Sequence, residues 1–190
     1  LALLVVAGLF IRSLTTAQDM DLGFDADHLV TVRLDPRQVA YDEAATDTFY
    51  QELLRRVRGW SDVASASLAF SVPMSYLSGG GAVYIEGRPL PANGQPPTSF
   101  LNHVGHDYFA TMQIPVLAGR AFTQDAERGR SDARRVAIVN EAMASRFWPG
   151  EDPIGKRFRV YGPDEPMLEV VGLVKDSKYV VVFEAPRPFF

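Results

Sequence analysis

The chain has 190 residues, enough for one ordinary domain that buries a hydrophobic core without disulfides. It contains no cysteine, which excludes thiolate metal sites and cysteine nucleophiles, and its 47% hydrophobic and 22% charged residues exclude a disordered chain. Lys and Arg number 19 against 23 Asp and Glu, and the net charge of −4 gives no sign of the basic face that nucleic-acid binding requires.

The chain begins with an uncharged, apolar run from Leu1 to Ile11, which is followed by Arg12. A helix needs about 20 apolar residues to cross a bilayer, and this run is shorter. Three interpretations compete: the core of a signal peptide, a buried helix, and the outer end of a membrane helix. No basic segment precedes the run and no polar face interrupts it, which favours the third. Because the first residue is Leu rather than Met, we expect the start of that helix to lie upstream.

A polar segment at 15–28 is predicted to be a linker that leaves the membrane. The alternating, β-branched stretch at 29–34 predicts a strand. Residues 43–58 give the clearest helix, because apolar residues recur at intervals of three and four. Acidic residues at its start and arginines at its end also suit the helix dipole. A second strand with small side chains is predicted at 63–70.

Glycine and proline become frequent after residue 73, where Ser78–Gly81 is predicted to be a flexible turn or hinge. Strands are predicted at 82–86 and 99–104, and a short helix at 107–112. Residues 123–135 mix charges of both signs and predict a solvated loop. Three residues of the short helix are expected to face a core: Tyr108, Phe109 and Met112.

The last third of the chain again alternates strand and helix. A buried strand is predicted at 136–139, and Asn140 is a natural N-cap for a helix at 141–148. Two further strands are predicted at 157–161 and 168–175.

Residues 179–183 are apolar and are a candidate for one more strand. Phe189 and Phe190 would be exposed at a true chain end. We therefore expect them to pack against a part of the protein beyond this sequence.

The order of these elements predicts an α+β fold with two βαβ halves and an insertion between them. The simplest solution is a split βαβ, ferredoxin-like core, in which an antiparallel sheet carries two helices on one face. The core would comprise residues 29–78 and 134–190, and residues 79–133 would form a smaller inserted α/β subdomain. Residues 1–14 would be the end of a transmembrane helix and residues 15–28 the linker.

The segment from Gly150 to Lys156 matches G-x-x-x-x-G-K, the start of a phosphate-binding loop. The next residue is Arg157, where such a loop needs Ser or Thr for magnesium. The segment also follows a predicted helix and opens a predicted strand, the reverse of the order that points backbone N–H groups at phosphate. A structural turn is therefore favoured.

Histidines and carboxylates give no strong site. His103, His106 and Asp107 lie close in sequence, but Gly105 disfavours a regular helix there, and only His28 remains as a remote third zinc ligand. No G-x-S-x-G elbow is present. The sequence therefore assigns no catalytic, cofactor-binding or metal-binding residue.

Several segments together resemble one family, the MacB/FtsX-type ABC transporter permeases. The resemblance covers nearly the whole chain and includes the exit from the apolar run followed by Asp21-Leu-Gly-Phe-Asp25. Further matches are the segments 49–54, 63–66, 86–90 and 107–120. The most specific stretch runs from Val136-Ala-Ile-Val-Asn-Glu141 through 147–156 to 169–174. Within the family, the chain is most similar to the second unit of large duplicated permeases of acidobacteria and their relatives.

The resemblance implies a MacB-like periplasmic core domain with a porter-like subdomain and an inserted one. Its implied function is non-catalytic: a cytoplasmic ABC ATPase hydrolyses ATP, and this domain couples the motion of membrane helices to export or extraction of a substrate. The implied partners are the other transmembrane helices, the ATPase, and a second permease half or a periplasmic protein. The implied location is the periplasmic side of the bacterial inner membrane. The alternative is a membrane-anchored extracytoplasmic sensor or interaction module.

Overall fold

The computed structural model describes residues 2–18, 20–75, 79–123 and 135–190. Within these ranges, helices α1 to α4 span Ala2–Gln18, Glu43–Val57, Tyr108–Thr111 and Glu141–Phe147. Strands β1 to β6 span Gly80–Ile85, Thr98–Phe100, Val116–Gly119, Val136–Asn140, Arg157–Val160 and Leu168–Val174. A 3₁₀ turn at Pro36–Val39 precedes α2.

The six strands form one mixed, mainly antiparallel sheet. Five of them follow the order β2-β1-β5-β6-β3, and β4 pairs with β6 in parallel. Glu169 of β6 pairs with both Arg157 and Val136, and Val174 pairs with both Val116 and Asn140. A strand position has one partner on each edge. β4 therefore lies along one edge of β6, while β5 and β3 share the other edge.

Two apolar clusters cover the two faces of the sheet. One contains Val139, Met143 and Phe158, and packs α4 against the strands. The other contains Tyr108 of α3 and Ile138 of β4. Because neighbouring strand residues point to opposite faces, Ile138 and Val139 enter different clusters. The buried core of the described chain lies around this sheet.

Most predicted elements of the last two thirds are confirmed, as are the helix at 43–58 and the three core-facing residues of α3. The Asp42 side chain accepts a hydrogen bond from the N–H of Ala45 at 2.8 Å and caps α2. Asn140 caps α4 in the same way through the N–H of Met143 at 3.0 Å. The structure adds β3 at Val116–Gly119, which the sequence pattern did not predict.

The strands predicted at 29–34 and 63–70 are wrong. Both segments are irregular, apart from an isolated bridge between Ala69 and Val104. The reason is physical, since no described strand pairs with 29–34. The segment 63–70 has a backbone partner only at its end, where the N–H of Phe70 donates to the carbonyl of His103 and the N–H of Gly105 donates to the carbonyl of Leu68. The described chain thus contains the parallel pair β4–β6 with α4 between them in sequence, but not the first of the two predicted βαβ halves.

The chain end also differs from expectation. Phe189 is only 6% exposed and stacks on Tyr179, with ring centroids 4.0 Å apart. Phe190 contacts the ring of Phe158 within the same chain, at 5.1 Å. The two phenylalanines pack against this domain because they lie beside the end of β4 rather than in solvent. Residues 179–183 do not form a strand.

Two further expectations concern segment boundaries. Gly80 and Gly81 lie inside β1 and pair with Phe100 and Ser99, so they are strand residues rather than a flexible turn. Ser78 and most of the predicted loop at 123–135 fall outside the described residues. α1 continues to Gln18, beyond the predicted helix end at residue 14. Among the described helices, none combines the length and apolarity that a bilayer crossing demands.

Candidate functional site

The segment that joins α1 to the sheet is docked, not free. We call Met20–Asp25 the strap. Its carbonyl at Leu22 accepts a hydrogen bond from the N–H of Lys178 at 2.8 Å. The carbonyl of Gly23 accepts one from the Ser177 hydroxyl at 3.2 Å. These contacts hold the strap against the loop that follows β6.

Gly23 is the closest point between the strap and the loop. It is buried and has a φ of 79°, in the left-handed region that favours glycine. A Cβ atom at this position would lie 2.1 Å from the carbonyl oxygen of Asp176. Since backbone cannot yield as a flexible side chain does, only glycine fits this contact without moving the strap.

An ion pair fixes one end of the strap. The Lys175 ammonium donates to the Asp21 carboxylate at 2.6 Å, and the N–H of Gly23 donates to the same side chain at 2.8 Å. The ammonium, with help from that N–H, lowers the pKa of Asp21, and the carboxylate in turn raises the pKa of Lys175. Both groups are therefore charged at neutral pH. The pair is largely exposed to solvent, so it orients the strap more than it stabilises the fold.

Asp25 fixes the other end of the strap to the turn after α3. Its N–H donates to the carbonyl of Met112 at 3.1 Å, and its carboxylate accepts from the Gln113 amide at 2.7 Å. The His28 ring lies 2.8 Å from the same carboxylate. The imidazole lowers the pKa of Asp25, and the carboxylate raises the pKa of His28. The strap is thus attached to the rest of the domain at two separate places, the loop after β6 and the turn after α3.

The loop that receives the strap also holds the start of α4. The Asp176 carboxylate accepts from the N–H of Ala142 at 2.9 Å, and the N–H of Asp176 donates to the Glu141 carboxylate at 3.1 Å. Burial raises the pKa of Asp176. The loop at 175–178 therefore contacts both the strap and the start of α4.

The phosphate-loop-like motif lies in the turn between α4 and β5, as predicted. The N–H of Gly155 donates to the carbonyl of Val170 at 2.8 Å. The Lys156 ammonium pairs with the Glu151 carboxylate, which Arg88 also contacts at 3.0 Å. The motif therefore ties the turn to β6 and to the loop after β1.

The histidines noted in the sequence lie in two places. His28 pairs with Asp25 on the strap side, whereas the His106 ring is 3.0 Å from Asp107 at the start of α3. Arg58, at the end of α2, also donates to Asp107 at 2.8 Å. Across the described ranges, no three side chains of the metal-ligating types come together.

Sequence reasoning treated the strap as part of a plain linker. The signal that could have identified it is the spacing of Asp21, Gly23 and Asp25, in which a glycine is flanked by two carboxylates. Glycine between polar residues is common in linkers too. Only the close approach to Asp176 distinguishes this glycine from an ordinary one.

Comparison with known protein families gives one match. A family model described as the MacB-like periplasmic core domain matches residues 1–185. No curated protein matches the chain significantly.

Three solved structures are similar to the chain at low identity. The periplasmic region of MacB from Actinobacillus actinomycetemcomitans has 18% identity and a TM-score of 0.47, and the match covers 72% of this chain and 60% of that chain. A domain of a putative permease protein from Porphyromonas gingivalis has 13% identity and a TM-score of 0.44, with coverage of 66% of this chain and 45% of that chain. The extracellular domain of the noncanonical ABC-type transporter YknZ from Gram-positive bacteria has 18% identity and a TM-score of 0.39, with coverage of 73% of this chain and 60% of that chain. The chain thus spans at most 60% of the length of these structures.

Proposed function

Because this chain belongs to the family of MacB-like periplasmic core domains, we propose that it is the non-catalytic extracytoplasmic domain of an ABC-type transporter permease. In this proposal a cytoplasmic ATPase subunit or domain hydrolyses ATP, and membrane helices pass its motion to this domain. The motion serves export or extraction of a substrate from the outer side of a bacterial inner membrane. The partners are the other helices of the permease, the ATPase, and a second permease half or a periplasmic protein.

The observation that carries the proposal is the docked strap. It begins at Met20, two residues after the end of α1, and its hydrogen bonds attach it to the loop at 175–178, which follows β6 and contacts the start of α4. A flexible linker would absorb a movement of the helix, whereas a docked one transmits it. The strap therefore gives this domain what a motion-coupling element needs.

The surface of α1 supports the same proposal. Leu3 is 85% exposed and Phe10 is 74% exposed, and the other large apolar residues described on this helix are also exposed. Residues 2–11 of this helix are uncharged and apolar, and an exposed apolar surface of this kind requires an apolar environment. We propose that α1 is the outer end of a membrane helix, surrounded by lipid or by neighbouring helices.

The proposed domain division keeps residues 29–78 and 134–190 as a porter-like core and residues 79–133 as an insert. β1 and β5 pair across this division, so the two parts share a sheet in the described chain.

Coupling through the strap can be measured without knowing the substrate. The 190 residues contain no cysteine, so spin labels can be placed at cysteines introduced for Ser13 on α1 and for Asp164 on the sheet unit of the full permease. With ATP and the ATPase present, we expect the label distance to remain narrowly distributed in the otherwise unchanged protein. In Gly23→Ala the strap must leave Asp176, and the distribution should broaden.

Gly94→Ala is the matched control. Gly94 also has a positive φ, 70°, but a Cβ there would meet no atom within 4 Å. Both substitutions carry the cost of the left-handed backbone, and only Gly23→Ala adds the clash. Equal distributions in the two variants would contradict coupling through the strap.

The surrounding gene decides between a permease and an anchored module. A permease requires about four hydrophobic segments of about 20 residues each, and an ABC ATPase that copurifies with the protein. A protein with one membrane helix and no ATPase partner would overturn the proposal in favour of a sensor or interaction module.

A further inference from the structure

A groove of about 790 Å³ runs along the outer edge of β4. Its walls include Ile138 of β4 on one side and residues 101–104 on the other. Tyr108 and Tyr179 line one of its faces, and Val160 and Leu168 line another part. The lining of the groove thus includes both β4 and residues 101–104, which follow β2.

The β4 side of the groove is an open strand edge. Alternate residues of a strand direct their N–H and C=O groups to the same edge. The N–H of Asn140 points away from β6, because it donates to the carbonyl of Phe189 at 3.1 Å. Ile138 and Val136, two and four residues earlier, share that edge. Within the described residues, no backbone hydrogen bond reaches them from this side.

The opposite side of the groove is a second open edge. Phe100 and Asn102 direct their N–H groups towards the chain end, donating to the carbonyls of Pro188 and Phe190 at 3.0 Å each. His103 faces the other way, since its carbonyl accepts from the N–H of Phe70. By the same alternation, the carbonyl of Asn102 and the N–H of Val104 face the groove. No described backbone group pairs with either of them.

Residues 188–190 already occupy one end of the groove and bond to both of its sides. Phe189 forms a parallel bridge with Phe100, and its N–H donates to the Asn140 side chain at 2.9 Å. The segment therefore bonds to both edges at once, in the manner of a central strand. Its direction carries the backbone after Phe190 along the groove, antiparallel to β4.

We propose that an extended strand binds in the groove and that the polypeptide following Phe190 in the full permease forms this strand. The inference rests on the proposed function, in which the protein continues into further membrane helices. The register follows from the pairs already made. The first residue after Phe190 pairs with Ile138, the third pairs with Val136, and the second bonds to Asn102 and Val104.

The two faces of the groove define the chemistry of this strand. Phe189 points to the face with Tyr179, and Phe190 points to the face with Phe158. The next residues continue the alternation between the Tyr108 face and the face with Val160. A strand covered on both faces is apolar at successive positions. We therefore expect apolar or aromatic residues at the first and second positions after Phe190.

Hydrogen exchange on the unmodified full permease tests the occupant directly. The amides of Ile138 and Val104 should exchange at least about 100-fold below their intrinsic rates, because the new strand accepts their hydrogen bonds. Exchange of both amides near the intrinsic rate would mean that the groove is open, and would overturn the inference.

Disulfide cross-linking tests the identity and register of the strand. Cysteines at Ile138→Cys and at the first residue after Phe190 should cross-link within one chain, because paired residues point to the same face. The matched control is Val139→Cys with the same partner, since Val139 is equally buried but points to the opposite face. Equal cross-linking in both pairs, or a cross-link to another chain, would refute the assignment.

These readouts use neither ATP nor a substrate. If Gly23→Ala and Gly94→Ala give equal label distributions while the groove amides are protected, coupling through the strap is wrong and the strand stands. If only Gly23→Ala broadens the distribution and the amides are unprotected, the strand is wrong and the coupling stands.

Discussion

The six-stranded sheet and the segment at residues 29–70 carry equally clear sequence patterns but reach different structures. Phe158 and Val139 of the sheet are fully buried. In the segment 29–70, Pro36 alone is buried among the described side chains, while Val30 is 89% exposed. The sheet has partners on both faces, and the segment has α2 with no buried residue.

The difference lies in where an element finds its backbone hydrogen bonds: a helix makes them within its own segment, and a strand needs a neighbouring strand. α2 forms where the sequence predicts it, because a helix makes its hydrogen bonds within its own segment. The strand predicted at 29–34 has the right residues, but its N–H and C=O groups must bond to another strand. An alternating apolar pattern therefore favours a strand, but the strand forms only where another strand lies beside it.

The largest expected effect comes from the core of the sheet. Phe158→Ala should lower the free energy of unfolding by about 3–5 kcal/mol, since it opens a cavity under Trp148 and Phe190. Trp60→Ala, in the weakly packed segment, should change it by less than about 0.5 kcal/mol because Trp60 is 63% exposed. Urea titrations followed by circular dichroism measure both. Similar losses for the two variants would mean that the segment is packed as firmly as the sheet.

The two helix caps give the next comparison. Asn140→Ala should lower the free energy of unfolding by about 3 kcal/mol. It removes the cap of α4, and the N–H of Phe189 and the carbonyl of Arg187 lose their hydrogen bonds to the Asn140 side chain. Asp42→Ala should cost only about 0.5–1 kcal/mol, because its cap is exposed. The same titrations apply. A cost for Asp42→Ala equal to that of Asn140→Ala would break the contrast between the regions.

The smallest effect is expected at His28, which lies between the two regions. Asp25 raises the pKa of His28, so the pair stabilises the fold below the ordinary histidine value of about 6.5 and loses this effect as pH rises through the raised pKa. The pKa of Asp25 is lowered, so the stabilisation that comes from its charged carboxylate is lost as pH falls through that lowered value. An NMR titration of the His28 ring should give a pKa above the ordinary value, and Asp25→Asn should restore it. An unshifted ring in the unmodified chain would contradict the pair.

Local patterns located many of the elements around the candidate site. The N-cap at Asn140, the helix that follows it and the two strands at 157–160 and 168–174 all lie where the residues predict them. The strap was missed because Asp21, Gly23 and Asp25 acquire their roles only from Lys175, Asp176 and Met112, which are remote in sequence. No pattern in the strap itself specifies those partners.

The residues alone indicate the helices, the N-cap at Asn140, five of the six described strands and the family. These depend on residues a few positions apart, whose periodicity and capping are visible along the chain. Three features follow only from the three-dimensional fold: β1 pairs with β5, Phe189 is buried beside Tyr179, and the segment 29–34 is irregular. A strand acquires its hydrogen bonds, and an aromatic side chain its burial, from segments far away in the chain.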